Sequence, residues 1–558
     1  MRDRVGRLLC VVSIAAWLLP AVATAQSDPS RIARRVGDWR DAWRSGRIAL
    51  TGPDQNESIA RRIYGNDLIT RAPQVLASHL YGLRALLEDA AEGGGPESAA
   101  AVLTLAAEGL GESPLPADRQ VEMVRAEATH ALARMQGSAA LDLLLRAARG
   151  DKAEVDELKP WRNEYRIAAL RALGGARSAV VRFELERQLG DRDREVRIAA
   201  AESLAERGSA RSLDALGDAI VAEKDPLAAL VILDAMHGSI ARDGEHMSTE
   251  TARRALSIAL DQLGRFDWRC DTAIVEIAGR IRSPMSIEPL IGVLERCLPR
   301  RGGNEALRAG TLRERAQTVL RDLTGTLCQA DRPDQWRAFW SRVRDDFRLP
   351  PPRDQGGDEA RTTSGFFGIP VSGLRVLFVI DTSGSMNTPI TGVGDGGTSS
   401  GGDHDTTSRL ERAKQELLRA VASLPPDARF GVIAFSGEAT RLDHSLWPAN
   451  DSGRAALRHA LAGLSAGGAT NLYGALADAL DLGDPDAARK DLAGIDELFV
   501  LSDGQPSAGA CTDTEAILAA VHDANRYRHV RIHTVMLGGA MEFVRRLAEE
   551  NGGRCVEG

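Results

Sequence analysis

Lysine and cysteine are both scarce in this chain of 558 residues. Five of its 70 basic residues are lysines, so arginine carries nearly all of the positive charge. Six cysteines are too few for a disulfide-dense fold, and no CxxC pair suggests a zinc site. The formal net charge of -8 lacks the basic excess with which a nucleic-acid-binding protein neutralises phosphates, so we expect no nucleic acid as a partner.

Long apolar runs are missing as well, except near the N-terminus. Residues 1–25 carry three arginines, then the apolar run Leu8–Ala23, then the small-x-small pattern Ala23–Ala25 that signal peptidase requires. The run is short for a bilayer span and Pro20 interrupts it, which favours a cleaved signal peptide over an uncleaved anchor. We therefore expect an exported protein, located in the periplasm, outside the cell or at the cell surface.

Residues 97–348 have the pattern of stacked helices. Alanine and leucine stripes at helical spacing alternate with short glycine or aspartate breaks. One five-residue sequence pattern recurs at Val124–Ala128, Tyr165–Ala169 and Val196–Ala200. Helix pairs of this length must stack on neighbours to bury their apolar faces. The run resembles short bacterial HEAT repeats, which implies an all-α solenoid; an irregular helical bundle is the alternative.

Aromatic helices flank these repeats. In the helical segment predicted over 26–96, Arg31–Arg47 has one apolar stripe, and it is either an interfacial membrane helix or, as we favour, a helix that docks by its tryptophans. Asp334–Phe347 has a second aromatic face, which we expect to be buried where it caps the last repeat. The first stripe consists of Ile32, Val36, Trp39 and Trp43, and the second face of Trp336, Phe339, Trp340 and Val343.

Two cysteines sit at neighbouring ends of predicted helices. Cys270 opens one helix and Cys297 closes the next, and these ends meet in an antiparallel pair. A disulfide in an oxidising compartment and two buried thiols are equally consistent with this placement.

The C-terminal third follows a proline- and glycine-rich linker. Residues 349–373 can neither continue a helix nor join a sheet, so we expect a semi-rigid spacer between independent modules. In 374–558 strands alternate with helices, beginning with the continuous apolar run Arg375–Ile380. This pattern predicts an α/β domain with a doubly wound, mostly parallel sheet, whose ligands bind beyond the carboxyl ends of the strands.

Oxygen-bearing side chains lie directly after two of these strands and in one loop. Asp381, Ser383 and Ser385 come directly after the first strand, Thr470 lies in a glycine-rich loop, and Asp503 follows the strand Glu497–Ser502. Together these five residues resemble the metal-ion-dependent adhesion site of the von Willebrand factor A domain family, over residues 374–558. The resemblance implies that the hydroxyls bind a metal directly, that the aspartates often act through water, and that a partner's Asp or Glu fills an open position.

The residue types suit a hard divalent cation. Mg²⁺ prefers six oxygen ligands, so we expect Mg²⁺ here, with Mn²⁺ or Ca²⁺ able to replace it. We also expect Gly384 and Gly504 to let the backbone approach the site closely. Residues 374–558 hold 25 acidic and 17 basic side chains, so this domain alone has a net charge of -8. A domain of the same fold that binds nothing is the alternative.

Enzymatic interpretations are weaker, and we predict no catalytic residues. An aspartyl-phosphate mechanism needs a second acid two residues after Asp381, where Ser383 stands. The match of 397–401 to a hydrolase nucleophile elbow lies in a Gly/Ser loop without the required strand, and no HExxH occurs. We expect a protein-binding protein with the solenoid as its scaffold; a metal-independent assembly scaffold is the main alternative, and a metal-dependent hydrolase a weaker one.

An insertion, Asn387–Thr407, emerges beside the predicted metal site. It is glycine-rich and contains Asp395 and the run Asp403-His404-Asp405. A lid or auxiliary cation site is one interpretation, and a flexible solvated loop is the one that its composition favours.

Overall fold

The computed structural model describes residues 28–45, 47, 57–72, 79–93, 95–108, 118–135, 137–151, 162–176, 178–243, 247–298, 308–326, 328, 332–352, 365–389, 407–443, 445–482, 494–539 and 541–558. They belong to two compact units, Met1–Leu144 and Leu145–Gly558. The predicted signal peptide, positions 353–364 of the predicted linker and positions 390–406 of the predicted insertion lie outside the described residues.

The first unit is helical. Its opening helix buries the whole predicted apolar stripe, and Trp39 donates a hydrogen bond to the Tyr64 hydroxyl at 3.3 Å. Burial within the unit favours the docking interpretation over an interfacial membrane helix. No helix among the described residues is both long and apolar enough to cross a bilayer. The helices are α1 Pro29–Arg44, α2 Glu57–Arg71, α3 His79–Gly93, α4 Pro96–Glu108, α5 Asp118–Arg134 and α6 Ser138–Arg149, the last of which runs into the second unit.

Helix pairs stack in the second unit, as the repeat pattern predicts. The odd-numbered helices pack successively on one another, and α9, α11, α13 and α15 each also pack on the even-numbered helix that precedes them. Asp193 and Asp267 cap two of the odd-numbered helices by accepting their first backbone N–H groups. The helices are α7 Asn163–Leu173, α8 Ala179–Gln188, α9 Arg194–Arg207, α10 Leu213–Ala222, α11 Pro226–Asp243, α12 Thr249–Leu260, α13 Trp268–Ile281, α14 Ile287–Cys297, α15 Gly310–Thr324 and α16 Pro333–Val343.

The aromatic face of α16 is less buried than its sequence predicts. Trp336 is fully buried, but Phe339, Trp340 and Val343 are only partly covered. The prediction that all four belong to the core is therefore wrong for three of them. The physical reason is that α16 packs on α14 along one side, so only the residue that points at α14 loses all of its solvent contact.

Cys270 and Cys297 are both buried free thiols, so the disulfide interpretation is wrong and the alternative holds. The Cys270 thiol donates to the carbonyl oxygen of Pro226 at 3.5 Å. Burial raises the pKa of the Cys297 thiol to about 11 and that of Cys270 well above its usual range. Both groups therefore remain protonated at neutral pH and behave as small apolar side chains.

The α/β domain has a doubly wound sheet. Over the described residues it contains seven strands in the order β3-β2-β1-β5-β6-β7, with β4 beside β2. β3 and β4 run antiparallel to β2, and the other pairings are parallel, which confirms the predicted class. The short strand β4 is absent from the sequence prediction. The strands are β1 Arg375–Asp381, β2 Arg429–Phe435, β3 Ala439–Arg441, β4 Trp447–Pro448, β5 Glu497–Ser502, β6 Arg531–Met536 and β7 Cys555–Glu557.

Helices cover both faces of the sheet. Alternate residues of β1 point to opposite sides, so Val376 and Phe378 pack under α17 and α18 while Leu377 and Val379 pack under the other three helices. This two-sided burial explains why β1 is a continuous apolar run. The helices are α17 Arg409–Ser423, α18 Asp451–Ala462, α19 Leu472–Leu480, α20 Thr514–Asn525 and α21 Glu542–Glu549.

The repeats and the sheet contact each other directly, so the expectation of independent modules is wrong. Asp496, fully buried just before β5, accepts hydrogen bonds from the backbone N–H groups of Leu374 and Arg375 and from Gly310 at the start of α15. A β-carbon on Gly310 would overlap the carbonyl oxygen of Ser372. Glycine at this position therefore permits the helix and the chain entering β1 to meet backbone to backbone.

Ion pairs extend this junction along one edge of the sheet. Arg308 pairs with Asp427 at 2.5 Å, and Arg531, the first residue of β6, pairs with Glu314 of α15. The loop before β6 adds His529, which lies 3.0 Å from Asp234 of α11. All of these contacts lie at the amino ends of the parallel strands or on their flanking loops, opposite the carboxyl ends.

Adding one methyl group at Gly310, by replacement with alanine, tests the close approach of the two backbones. We expect Gly310→Ala to lower the free energy of unfolding by about 1–3 kcal/mol, because the two backbones must separate to admit the β-carbon. Differential scanning calorimetry of the full chain measures the change. Gly292→Ala in α14 is the matched control, since its β-carbon would meet its nearest neighbour at 3.8 Å, and alanine is the better helix former. Equal melting of the two variants would contradict a tight junction.

The His529 pair makes the junction sensitive to pH. Burial alone disfavours the charged imidazolium, but the Asp234 carboxylate outweighs burial and raises the pKa of His529. At the start of α13, Arg269 lowers this pKa and Asp267, the N-cap, raises it. A raised folded-state pKa means that the pair stabilises the protein fully below the unfolded value of about 6.5. That contribution is lost as the pH rises through the folded-state pKa.

We therefore expect the melting temperature of the wild type to exceed that of His529→Gln most at acidic pH. The difference should be on the order of 1 °C, because the pair is partly exposed and the unit is large. Melting curves from pH 5.5 to 9 measure it, with His522→Gln, an exposed histidine on α20, as the control. A difference that stays constant across this range would show that the His529 charge contributes nothing.

Candidate metal centre

The topology brings the five predicted site residues to one edge of the sheet. Asp381 is the last residue of β1, Asp503 follows the last residue of β5, and Thr470 directly precedes Asn471, the N-cap of α19. β1 lies between β2 and β5 and runs parallel to both. The chain turns in opposite directions from β1, which is where open α/β sheets place their ligands.

Asp381 is fully buried at the base of this edge. Its Oδ1 accepts the backbone N–H of Ser383 at 2.8 Å, and its Oδ2 accepts the hydroxyl of Ser502 at 2.8 Å. Burial raises the pKa of Asp381, hydrogen bonds from Ser383 and Ser502 oppose the rise, and the charge of Asp503 adds to it. A positive charge in front of the carboxylate would favour its ionised form.

The hydroxyl groups form a chain that joins the two aspartates. The Oγ atoms of Ser383 and Ser385 are 3.1 Å apart, and Ser385 donates to Oδ1 of Asp503 at 2.6 Å. Thr470 lies beside Gly504, the residue after Asp503, since a β-carbon on Gly504 would be 3.9 Å from its Oγ1. Hydrogen bonds therefore connect Asp381, Ser383, Ser385 and Asp503, and Thr470 lies on the neighbouring loop.

Backbone contacts hold the glycine-rich loop that carries Thr470, the threonine loop, against the loop that follows β1. The N–H of Gly467 donates to the Thr382 carbonyl at 2.8 Å, and the N–H of Gly384 donates to the Gly468 carbonyl at 3.0 Å. Gly468 has a φ of +83°, a left-handed conformation that favours glycine. At Gly384 and Gly504 a β-carbon would meet its nearest neighbour at ordinary van der Waals distances, so the available space does not require glycine at those two positions.

The cluster opens to solvent on one side. Asp381, Ser383 and Thr470 are buried, whereas Ser385 and the residues 467–469 of the threonine loop are exposed. A ligand that enters from this side would meet the hydroxyl oxygens before the buried carboxylate of Asp381.

Two further residues complete the site, and neither is predicted from the sequence. Ser502 holds Asp381, as described above, and the Arg409 guanidinium donates from Nη1 to Oδ2 of Asp503 at 2.9 Å. The Asp503 side chain is fully buried between Arg409 and Ser385. Ser502 could have been noticed as the residue before Asp503, but no local pattern indicates that Arg409 reaches across 94 positions.

The donor set consists entirely of oxygen atoms. Carboxylates and hydroxyls are the ligands that hard cations such as Mg²⁺ and Ca²⁺ prefer, whereas zinc sites use nitrogen and sulfur. Over the described part of the chain, no group of three or more His, Cys, Asp or Glu side chains is placed to hold a metal ion. The three hydroxyls and two carboxylates of this cluster therefore fit a hard divalent cation better than a transition metal.

Known protein families match both halves of the chain. Residues 376–505 match the family model of the von Willebrand factor type A domain, and residues 155–236 match that of HEAT repeats. Inter-alpha-trypsin inhibitor heavy chain H4 of Homo sapiens is 28% identical over 210 residues, which cover 35% of this chain and 20% of the relative. Heavy chain H1 of Mesocricetus auratus is 28% identical over 156 residues, 28% of this chain and 15% of the relative. The matches thus span about a fifth or less of these relatives.

Solved structures with similar domains include a von Willebrand factor type A protein from Catenulispora acidiphila and BatB from Bacteroides thetaiotaomicron. The first is 23% identical, covers 33% of this chain and 38% of its own, and has a TM-score of 0.26. The second is 20% identical, covers 33% of this chain and 90% of its own, and has a TM-score of 0.23. It is the two family models, with the fold described above, that identify the parts: the chain carries HEAT repeats followed by a von Willebrand factor type A domain.

Proposed function

We propose that the von Willebrand factor type A domain binds a divalent cation and recognises a protein partner through it. The cation is Mg²⁺, with Mn²⁺ or Ca²⁺ able to replace it, and the residues that hold it, directly or through water, are Asp381, Ser383, Ser385, Thr470 and Asp503. The observation that carries the proposal is the hydrogen-bonded group of Asp381, Ser383, Ser385 and Asp503 at the carboxyl edge of the sheet, with Thr470 on the adjacent loop. A bound cation supplies positive charge and an open coordination position for the partner's Asp or Glu carboxylate.

The side chains of the site divide the work of holding the cation. Ser383, Ser385 and Thr470 offer neutral hydroxyl oxygens, with Ser385 on the exposed side, and both carboxylates already accept hydrogen bonds from within the protein. Asp381 and Asp503 are therefore arranged to act from behind the hydroxyls, by orienting them and by charge. Such a site leaves part of the positive charge unneutralised, which attracts an anionic partner group.

The HEAT repeats act as a scaffold that carries the domain. Their contacts lie at the amino edge of the sheet, through Asp496, Arg308 and Arg531, and leave the carboxyl edge open. We also propose that the protein is exported and is not an enzyme. Over the described residues, the side chains at the site are oxygen donors suited to a cation. An aspartyl-phosphate mechanism would need an acid two residues after Asp381, and that position is occupied by Ser383.

Cation binding should stabilise the folded protein. We expect saturating Mg²⁺ to raise the melting temperature by a few degrees and EDTA to reverse the shift, because a ligand at 100 times its dissociation constant contributes about 2.7 kcal/mol. Asp381→Ala should abolish the response, measured by calorimetry of the full chain. The matched control is Asp478→Ala, an exposed aspartate on α19. A response to Mg²⁺ that survives in Asp381→Ala would refute the assigned site.

Partner binding should depend on the cation. We expect a photo-crosslinking amino acid at the exposed position 505, two residues after Asp503, to capture a partner in Mg²⁺ and to lose it in EDTA or with Thr470→Ala. A photo-crosslinker is required because five lysines in the whole chain leave amine-reactive reagents few sites. Mass spectrometry identifies the captured protein and its crosslinked residue.

A metal-independent assembly scaffold is the second candidate. One observation favours it: Arg409 already neutralises Asp503, so the site is internally paired without a cation. Capture at position 505 that is equally strong in Mg²⁺, in EDTA and with Thr470→Ala would support the scaffold and exclude recognition through the metal. A metal-dependent hydrolase has no such observation in its favour.

A further inference from the structure

We infer that Arg409 sets the positive charge that the bound cation presents, and so makes the site selective for an anionic partner group. This inference rests on the proposed function. It concerns a residue outside the five predicted ligands, and it assigns Arg409 a role in specificity rather than in holding the metal.

The geometry fixes Arg409 beside the site. Its Nη1 lies 2.9 Å from Oδ2 of Asp503, while the other carboxylate oxygen accepts from Ser385. Its side chain is largely buried, and a β-carbon on Gly538 would overlap the guanidinium; Gly538 has a φ of +113°. The backbone N–H of Arg409 donates to the Thr388 carbonyl, which ties the start of α17 to the loop that carries the site serines.

The formal charges give Arg409 its importance. Asp381 and Asp503 contribute two negative charges to the cluster, and Arg409, hydrogen-bonded to Asp503, cancels one of them. A divalent cation would then leave the site with an excess of one positive charge. Without Arg409, the two aspartates would neutralise the cation completely, and a carboxylate from the partner would gain little by joining it.

Two affinities should therefore move in opposite directions when the charge of Arg409 is removed. The cation binds more tightly, because a nearby positive charge no longer repels it. The carboxylate binds more weakly, because the loaded site has lost its net positive charge. A residue that merely held Asp503 in place would instead weaken both affinities when it was replaced, since the ligand set would be less well ordered.

The experiment measures both affinities with simple probes on the full chain. Electron paramagnetic resonance titration gives the affinity for Mn²⁺, and the relaxation of acetate methyl protons by protein-bound Mn²⁺ gives the affinity for a carboxylate. For Arg409→Gln we expect Mn²⁺ to bind roughly tenfold more tightly and acetate several-fold more weakly. Arg409→Lys, which keeps the charge, should stay close to the wild type in both measurements.

Arg412→Gln is the matched control. Arg412 lies one turn further along α17, is largely exposed and pairs with Glu416, so its replacement should change neither affinity. If Arg409→Gln weakens Mn²⁺ binding, or leaves both affinities unchanged while the wild type binds Mn²⁺ and acetate, the inference is wrong and the proposed function stands. If the wild-type protein does not bind Mn²⁺, both are wrong.

Discussion

The buried carboxylate of Asp496 is the constraint on which the larger unit depends. It receives backbone N–H groups from the chain entering β1 and from the first turn of α15, so one side chain fixes a strand and a helix of different architectures to each other. An uncompensated buried carboxylate would be very costly, and one of its three donors, the N–H of Gly310, is present only while the repeats and the sheet remain in contact. The position of the central strand, and hence of Asp381 at its far end, therefore follows from this junction.

The two ends of the sheet use acidic residues in different ways. At the amino end, Asp496 and Glu497 are satisfied by backbone and side-chain donors and are closed to solvent. At the carboxyl end, Asp381 and Asp503 are also hydrogen-bonded, but the exposed residue Ser385 places its hydroxyl against Asp503. Only the second arrangement leaves oxygen atoms free to face an incoming ion. The acidity of this domain, visible as a count in the sequence, thus divides into a structural part and a functional part.

The sequence predicts what is local or periodic. The apolar run before Asp381 and the helical repeats both determine nearby structure, so the first strand, the helices and the fold class could be derived from them. The five site residues could be grouped because they lie after strands or in a glycine-rich loop and together resemble the metal-ion-dependent adhesion site. The contact of Arg409 with Asp503 and that of Gly310 with Asp496 could not be predicted, since they join residues 94 and 186 positions apart. The partial exposure of Phe339 and Trp340 was missed because an amphipathic pattern does not say how much of a face its neighbour covers.

The junction at Asp496 also has a mechanical consequence. If a partner bound at the carboxyl edge were pulled, the force would act on the domain at the carboxyl ends of β1 and β5. It would be transmitted to α15 from the amino ends of these strands. The force would run lengthwise along the two innermost strands, which each carry hydrogen-bonded neighbours on both sides. Such a load is resisted by many hydrogen bonds at once, whereas a domain suspended from its linker alone would be pulled from one chain end and could peel strand by strand.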